Sequence, residues 1–506
     1  MASTESVAGV LIRSLSFYRR QLACALAAPR AVILFRMRVV PALLISSALL
    51  AYSALAAERY TVDWPRTDSE TFEYYTHLLR LDTSNPPGNE TQAIDYLKPI
   101  LEREGIPFQV FALDPNRANL VARLKGNGSK KPIILMGHTD VVGVQRDKWP
   151  LDPFAAIRKD GFIWGRGSSD DKPHVVSSLM VMLLLHRLHV PLDRDVIFVA
   201  EAGEEGTTGP GIDFLVNQHW NDMAAEFALA EGGETISREG KVRVVEITTT
   251  EKAPRTTLLV AHGTAGHGSV PRPDNPVLHL TAAVAKFQTW QPPMRLNDTT
   301  RTYFERLATI STPEEAYRYN HVADPDKTEE IQRYFLEHER EKYSILRTSI
   351  VPTIVQAGFR SNVIPSEAQA TLDIRSLPDE DMSKLYDEIR RVINDPAIEV
   401  KSAGRDHRVP SPPSRLDSDM FKALERTQQK MFPGAITVPA MLTGATDMAQ
   451  LRAKGVQAYG FGPIVDEKEV ELHGAHSDQE RMLESSIYSM VQFLWYTVLD
   501  VAAHNQ

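Results

Sequence analysis

Four short segments of this 506-residue sequence each place acidic or imidazole side chains directly after a run of apolar residues. Any one segment alone is weak, because a pair of acids most often belongs to a solvated surface. Their recurrence after successive apolar runs indicates a shared site, and oxygen and nitrogen donors of this kind suit Zn²⁺ or a similar divalent ion. The segments are His138 to Asp140 after residues 132–136, Asp170 and Asp171 after 162–164, Glu204 and Glu205 after 196–200, and Glu231 after 227–230.

The elements that carry these segments alternate between strand and helix. Apolar runs at 132–136, 195–200 and 226–230 predict buried strands, and apolar spacing predicts helices over 90–105 and 175–188. Such alternation implies a mainly parallel sheet covered by helices, which is an α/β fold. In these sheets a ligand site lies past the carboxyl ends of the strands, where the four segments stand. The sequence therefore predicts that their side chains converge.

The order of these motifs resembles that of one known family. The similarity is to the acetylornithine deacetylase, succinyl-diaminopimelate desuccinylase, carboxypeptidase G and carboxypeptidase S family of co-catalytic zinc metallopeptidases, and it covers roughly residues 70–500. It implies an α/β catalytic domain with a mainly parallel central sheet, interrupted by an α+β lid (dimerisation) domain. The turn after Ala230 and a long lid insertion are most similar to the carboxypeptidase S branch. The motifs are His138-x-Asp140, Asp170-Asp171-Lys172, Glu204-Glu205, Glu231 and a late His476.

The resemblance also implies two zinc ions in each subunit. Asp170 would bridge them, because two dications a few ångströms apart need shared negative charge between them. Asp140 would orient the ring of His138. Glu204, which stands next to a ligand, would be the general base that takes a proton from water and returns it to the leaving amine. The implied ligands are His138 and Glu231 for one ion, Glu205 and His476 for the other, and Asp170 for both.

A second histidine, His473, lies three residues before His476 and is an alternative ligand. The family pattern places a polar amide and then a glutamate three and four residues after the ligand. Gln479 and Glu480 fit this spacing from His476, so His476 is the predicted ligand.

Residues 254–403 resemble the lid domain of the family. The resemblance implies that His267, in a glycine-rich loop, stabilises the oxyanion in the active site of a partner subunit, which requires a homodimer. It also implies that Arg375 and Asn362 bind the carboxylate and the carbonyl region of the substrate. The simpler alternatives are a loop histidine without a catalytic role and an arginine paired with Asp373.

Two further segments of the sequence bear on the substrate. Thr446 lies in a loop, residues 443–447, that resembles a family loop flanking the substrate. Residues 290–350 are mostly charged, with a helix predicted over 328–341, and are longer than a minimal lid requires. The sequence assigns them no role.

The N-terminal segment, residues 1–56, is predicted to direct secretion or transport to the periplasm. Six arginines and one acid over residues 1–38 precede the uncharged run 39–57, and small residues at Ala54 and Ala56 suit signal-peptidase cleavage. Met37 begins a compact signal by itself, so residues 1–36 are interpreted as an upstream extension. The alternative is an uncleaved anchor, because about 19 uncharged residues approach the minimum for a membrane span.

The composition excludes other classes of protein. With 43% hydrophobic and 24% charged residues, the chain fits neither a disordered nor a polytopic membrane protein. The net charge is −9 and no basic run occurs beyond the N-terminus, so nucleic-acid binding is not expected. The sole cysteine, Cys24, lies in the export segment, which leaves no thiol for a metal. The predicted division is signal 1–56, catalytic part 57–253, lid 254–403 and second catalytic part 404–506.

The predicted function is that of an exported dinuclear zinc hydrolase. It would cleave a peptide or N-acyl-amino-acid bond next to a free carboxylate, as a carboxypeptidase or dipeptidase does. One alternative is a hydrolase of long-chain N-acyl amino acids, which the large lid insertion favours. Another is a non-catalytic binding domain on a peptidase scaffold, which would be expected to lack ligands or the base.

Overall fold

A computed structural model describes residues 60–404 and 408–504. The predicted export segment, residues 1–56, lies outside the described residues. Within the described part of the chain, none of the helices combines the length and apolar character needed to span a bilayer. The strands are β1 Ser84–Asn85, β2 Phe108–Ala112, β3 Ala118–Leu124, β4 Ile133–His138, β5 Val141–Val142, β6 Ile157–Lys159, β7 Phe162–Trp164, β8 Val196–Glu201, β9 Phe227–Ala230, β10 Thr235–Arg238, β11 Lys241–Glu251, β12 Ala253–His262, β13 Gly266–His267, β14 Ser349–Ala357, β15 Val363–Ile364, β16 Glu367–Ser376, β17 Ile398–Ser402, β18 Ile436–Leu442, β19 Gln457–Gly460, β20 Ile464–Asp466 and β21 Arg481–Leu483.

The helices lie between these strands, and a 3₁₀ turn at Lys286–Gln288 extends one of them. The α-helices are α1 Trp64–Leu79, α2 Thr91–Glu104, α3 Lys172–Arg187, α4 Ile212–Gln218, α5 Trp220–Met223, α6 Pro276–Ala285, α7 Asp298–Ala308, α8 Pro313–His321, α9 Thr328–His338, α10 Arg340–Ile345, α11 Met382–Ile393, α12 Asp419–Met431, α13 Met448–Ala453, α14 Glu467–His473 and α15 Glu484–Ala502.

The largest sheet has parallel strands at its centre. Strands β8, β4, β9 and β19 are neighbours in that order and pair in parallel. Strands β3 and β2 extend one side as antiparallel neighbours, and β11, β10, β18 and β20 extend the other. The central strands are wholly buried runs, as expected where helices cover both faces of a sheet. Their carboxyl ends meet at one edge.

Helix α3 forms much of the core against this sheet. It begins one residue after Asp171, and Pro173 stands in its first turn, where a missing backbone N–H costs no hydrogen bond. All residues from Lys172 to Leu185 are buried. The helix thus starts two residues after Asp170, a predicted metal ligand, and helps to fix its position against the sheet.

The strand at 162–164 does not belong to the central sheet. It is β7, the middle strand of a separate antiparallel sheet with β6 and β21. The expectation that all four chemistry-bearing segments follow successive strands of one parallel sheet is therefore wrong for Asp170. The chain instead brings Asp170 to the site through the loop between β7 and α3.

A second, four-stranded sheet carries the features predicted for the lid. Its order is β14-β16-β12-β17 and every pairing is antiparallel. Helices α6 and α11 contribute to a core with residues of these strands, which makes this unit α+β. Strand β14 is at an edge, and its apolar side chains Val351, Ile354 and Val355 are about half exposed.

The insertion between 290 and 350 folds into four helices, α7 to α10, with a small core of its own. The helix predicted over 328–341 is divided at Glu339, whose backbone (φ −136°, ψ 63°) is not helical. The carboxylate of Glu339 accepts a hydrogen bond from Tyr319, twenty residues earlier, at 3.0 Å and pairs with Lys342, three residues later, at 2.9 Å. Arg306 donates to the carbonyl of Thr437 at 2.9 Å, which ties the insertion to β18.

These observations confirm the predicted fold class: an α/β unit with a mainly parallel centre, interrupted by an α+β unit. The division at 253/254 and 403/404 stays a prediction.

Candidate metal centre

The carboxyl ends of three neighbouring strands supply the first part of the site. His138 is the last residue of β4, and it lies in register with Glu201, the last residue of β8. Glu231 directly follows β9. His138 is 1% exposed, so its ring is positioned by the core and not by solvent.

Asp170 joins the two predicted halves of the site. One carboxylate oxygen, Oδ1, is 2.9 Å from Nε2 of His138, and the other, Oδ2, is 3.3 Å from Nε2 of His476. Nε2 of His138 is also 3.8 Å from Glu231 Oε2. Nε2 of His476 lies 3.0 Å from Glu205 Oε2. The structure thus brings the other four predicted ligands together around Asp170.

Asp140 positions a second part of the site in addition to the ring of His138. Nδ1 of His138 contacts the backbone carbonyl of Asp140 at 3.0 Å and its carboxylate at 3.4 Å. The same buried carboxylate accepts the backbone N–H groups of Gly203, Glu204 and Glu205 at 3.0 to 3.1 Å. Asp140 therefore also fixes the turn that carries Glu204 and Glu205.

Asp171 and Glu480 hold the backbone next to two of the predicted ligands. Asp171 accepts the backbone N–H of His138 at 3.2 Å and contacts the ring of His174. Glu480 is fully buried and accepts the backbone N–H groups of Gly167 and Ser169 at 3.1 and 2.8 Å. These bonds fix the loop that leads to Asp170. In the sequence, Glu480 stands out only by its spacing from His476, and its role in holding the loop is not predictable from that spacing.

His473 does not join the cluster. Its Nδ1 lies 3.2 Å from Glu469 and 3.3 Å from Arg481, and its ring packs edge-on against Trp164. Among these described contacts, none is to a predicted metal ligand. The geometry thus agrees with the choice of His476.

Glu204 has a partner that the sequence did not reveal. The guanidinium of Arg408 bridges the carboxylates of Glu204 and Asp447, and it also donates to the backbone carbonyl of Glu204 at 3.1 Å. Arg408 stands in an irregular segment between β17 and α12, where no motif or periodicity singled it out. The signal that could have found it is weak: a lone arginine where the chain returns from the predicted lid.

The electrostatics of the site follow from burial and from the close packing of charged groups. Burial outweighs the nearby Arg408 and raises the pKa of Glu204 to about 8. Burial and the neighbouring Asp170 raise the pKa of Glu231 well above its usual range. Hydrogen bonds to Asp170 and Glu205 raise the pKa of His476 to about 10. The cluster therefore holds more negative charge than it can stabilise alone, as a cation site does.

These donors fit divalent metal ions. Two imidazole nitrogens and three carboxylates converge, and His138, Asp170 and Glu205 offer ligand atoms that all lie within 4.8 Å of one another. His138, Asp171 and Glu231 form a second such group. The nitrogen and oxygen donors match the preferences of zinc and similar cations.

A cavity of about 400 Å³ is lined by this cluster and by the insertion. Asp170, Glu204, Glu205, Glu231 and His476 contribute to its lining. Other parts of the lining are the apolar side chains Ile345, Met441, Leu442, Pro463 and Val465, and the polar side chains Tyr303, Glu234, Glu246 and Glu341.

Within residues 60–404 and 408–504, the carboxyl groups of Glu234, Glu246 and Glu341 make no ion pair and no side-chain hydrogen bond. Lys342 also lines this cavity, and it pairs with Glu339 at 2.9 Å. Burial raises the pKa of Glu234 to about 7 and that of Glu246 to about 8. Near neutral pH these two carboxyl groups therefore hold protons for much of the time, so this part of the cavity offers both donors and acceptors of hydrogen bonds.

The four remaining predicted site residues are arranged differently. His267, on β13, pairs with β15 next to Asn362, whose carbonyl accepts the N–H of Gly268 at 2.8 Å. Arg375 pairs with Asp373 at 2.8 Å, as the simpler alternative anticipated. These three residues do not line the cavity. Thr446 does line it, with its hydroxyl donating to Glu251 at 2.8 Å.

The chain is similar to known proteins over most of its length. Residues 134–500 match the model of the family described as peptidase family M20/M25/M40. The chain is 28% identical over 377 residues to an N-fatty-acyl-amino acid synthase/hydrolase of Homo sapiens, covering 72% of this chain and 73% of that protein. It is 29% identical over 390 residues to a probable carboxypeptidase S-like protein of Dictyostelium discoideum, covering 75% of this chain and 74% of that protein.

Solved structures show the same fold. An M20 family metallo-carboxypeptidase from Sulfolobus solfataricus aligns with a TM-score of 0.65 at 18% identity, over 85% of this chain and 99% of that chain. A dinuclear metal binding peptidase of the M20 family from Bacillus subtilis aligns with a TM-score of 0.57 at 16% identity, over 87% of this chain and 98% of that chain.

Proposed function

Because the chain belongs to peptidase family M20/M25/M40 and is therefore a metallopeptidase or amidohydrolase, we propose that it is an exported dinuclear zinc hydrolase. Its reaction is cleavage of a peptide or N-acyl-amino-acid amide bond next to a free carboxylate, as in a carboxypeptidase or dipeptidase. The observation that carries the proposal is the position of Asp170 between His138 and His476, with Glu204 beside them.

Two zinc ions would be held by the five converging side chains. Asp170 would serve both ions, with His138 and Glu231 completing one set and Glu205 and His476 the other. Zinc is proposed because the donors are imidazole and carboxylate and no cysteine is present beyond Cys24. When bound, such ions supply Lewis acidity, which polarises the scissile carbonyl and makes water acidic enough to act as a nucleophile near neutral pH.

Glu204 performs the proton transfers. Glu204 accepts a proton from the attacking water as the C–O bond forms, and it then gives that proton to the amide nitrogen as the C–N bond breaks. The products are a carboxylic acid and a free amine, so the atoms of one water are accounted for. Asp140 keeps Glu204 within reach by holding the backbone of its turn.

The cavity lining bears on how a substrate is oriented. Glu234 and Glu246, whose pKa values are raised to about 7 and about 8, hold protons for much of the time near neutral pH. Protonated carboxyl groups donate as well as accept hydrogen bonds, so this part of the cavity can bind a polar group of the substrate.

His267, Arg375 and Asn362 would act on the substrate in a homodimer. All three lie on the predicted lid, away from the cavity of their own chain. The exposed apolar edge strand β14 supports self-association, because an uncovered edge with Val351, Ile354 and Val355 readily pairs with a second copy. In the dimer, His267 would donate to the oxyanion in the partner's site and Arg375 would exchange Asp373 for the substrate carboxylate.

A second candidate function is hydrolysis of long-chain N-acyl amino acids. The named activity of the human relative, an N-fatty-acyl-amino acid synthase/hydrolase, favours it. The apolar part of the cavity lining, with Met441 and Leu442, would contact the acyl chain. A non-catalytic binding domain is disfavoured, because all five ligand positions and Glu204 are present.

One experiment separates these functions. Purified protein is assayed with a panel of dipeptides, C-terminally extended peptides and N-fatty-acyl amino acids, with and without a chelator, alongside Glu204→Gln. Chelator-sensitive hydrolysis of dipeptides that is lost in Glu204→Gln supports the proposal. Preferential turnover of N-fatty-acyl amino acids selects the second candidate. Binding without turnover of any amide contradicts both.

A further inference from the structure

We propose that Arg408 is a positioning residue that holds the carboxylate of Glu204 in its working orientation, an inference that rests on the proposed function. One end of its guanidinium contacts the Asp447 carboxylate. The other end contacts the carboxylate of Glu204 and donates to the Glu204 carbonyl at 3.1 Å. A single planar group thus grips both the side chain and the backbone of the base.

The surroundings of Arg408 make this contact a strong constraint. The side chains of Arg408 and Glu204 are each 10% exposed, and that of Asp447 is 2% exposed. Charge-assisted bonds are stronger where water is largely excluded, and an arginine fork fixes direction as well as distance. Glu204 consequently has far fewer accessible orientations than a free glutamate in a turn.

Arg408 is itself anchored on two sides. Asp447 stands at the start of helix α13, which packs against the central sheet. The carbonyl of Arg408 accepts a hydrogen bond at 2.7 Å from Arg255, on strand β12 of the four-stranded sheet. Arg408 therefore transmits the positions of two separate elements to the base, which no residue adjacent to Glu204 in sequence does.

A purely structural role is the competing explanation, because an ion pair between Arg408 and Asp447 could simply stabilise the fold. The two roles differ in what they change. Loss of orientation at the base lowers kcat with little effect on KM, since misplacement by about 1 Å can cost on the order of 100-fold. Loss of a merely structural pair lowers the unfolding midpoint and leaves turnover per folded molecule unchanged.

The test uses the full-length protein with a substrate that the wild type hydrolyses. Arg408→Gln and Arg408→Lys are compared with Arg415→Gln, a control arginine that is exposed and paired with Asp417 at 2.8 Å. Steady-state kinetics, bound metal and thermal unfolding are measured for each variant. We expect Arg408→Gln to lower kcat by about 10- to 100-fold, with KM within about threefold and metal content unchanged. Arg408→Lys keeps the positive charge but loses the planar guanidinium, so its kcat should lie between those of the wild type and Arg408→Gln.

Two results would overturn the inference. One is Arg408→Gln that is folded, metal-loaded and equal to wild type in kcat. Should Arg408→Gln not fold, Arg408→Lys decides, and wild-type kcat in that variant is the second contrary result. If the wild type itself hydrolyses no amide, the proposed function fails and this inference with it. If the wild type is active and the Arg408 variants match it, the role of Arg408 fails alone.

Discussion

His138 and His476 reach opposite oxygens of one carboxylate, that of Asp170, at 2.9 and 3.3 Å. One histidine ends a central strand and the other lies in a loop beyond α14. A carboxylate shared in this way is the arrangement that a ligand bridging two cations requires. The relationship links the two ends of the family match and underlies the proposed chemistry.

The choice between the two late histidines can be tested directly. His476→Ala removes a nitrogen donor that faces Glu205 and Asp170, so we expect loss of bound metal and of activity. His473→Ala removes the contacts to Glu469, Arg481 and Trp164, none of which is a predicted metal ligand, so bound metal should stay at the wild-type level. Metal content after gel filtration is the measurement. The reverse pattern would contradict the assignment.

Glu204→Gln keeps the size of the side chain and removes its ability to accept a proton. We expect kcat to fall by about 10²- to 10⁴-fold, the usual contribution of a general base. Metal content should not change, because Glu204 is next to a proposed ligand without being one. Initial rates and metal content are measured on the same sample. Near-wild-type turnover would remove Glu204 from the mechanism.

The local sequence was sufficient to predict much of the fold and the convergence of the chemistry-bearing segments, whereas the ligand set was implied by the family resemblance. Continuous apolar runs identified the buried strands β4, β8 and β9, and their carboxyl ends carry His138, the turn with Glu204, and Glu231. Helix α2 ends as predicted at Gly105, which has the left-handed conformation that glycine favours (φ 70°). These features are local, so composition and spacing determine them.

Features that depend on distant contacts were not predictable from spacing. Arg408 meets Glu204 only because the chain returns from the second sheet at that point. The assignment of residues 162–164 to a separate sheet depends on pairing with β21, near the other end of the chain. At the break, Glu339 is bonded to Tyr319, and this contact is not visible in the helix propensity of residues 328–341. In each case a tertiary contact overrides the local pattern.

The proposed dimer predicts a linked loss of assembly and activity. Ile354→Lys places a charge on the exposed apolar edge strand β14, where it would oppose pairing with a second copy. We expect a shift from dimer to monomer in light scattering, with a matching fall in activity because His267 would no longer reach a partner's site. Lys384→Glu, at an exposed side chain of helix α11, is the control for changed charge alone. An active monomer would contradict the role of the lid in trans.

Glu246 predicts a pH dependence of stability. Burial raises its pKa from 4.5 to about 8, so the folded protein holds this proton where the unfolded chain has released it. Folding stability should therefore fall as pH rises from about 4.5 to about 8, by at most about 1.4 kcal/mol for each pH unit. Glu246→Gln removes this loss, so its free energy of unfolding should exceed that of wild type by more at pH 8 than at pH 5.

Chemical denaturation at several pH values measures that difference, with the exposed Glu305→Gln on helix α7 as the control. A difference that is constant with pH would contradict the raised pKa of Glu246.

The central claim is that five side chains hold two cations around Asp170. Its most direct test is the metal content of purified, active protein, measured by elemental analysis for wild type and for Asp170→Asn. We predict two transition-metal ions per wild-type chain, and loss of both metal and hydrolysis in Asp170→Asn while the fold is retained. Active wild-type protein without bound transition metal, or an Asp170→Asn variant with full metal and full activity, would contradict the account.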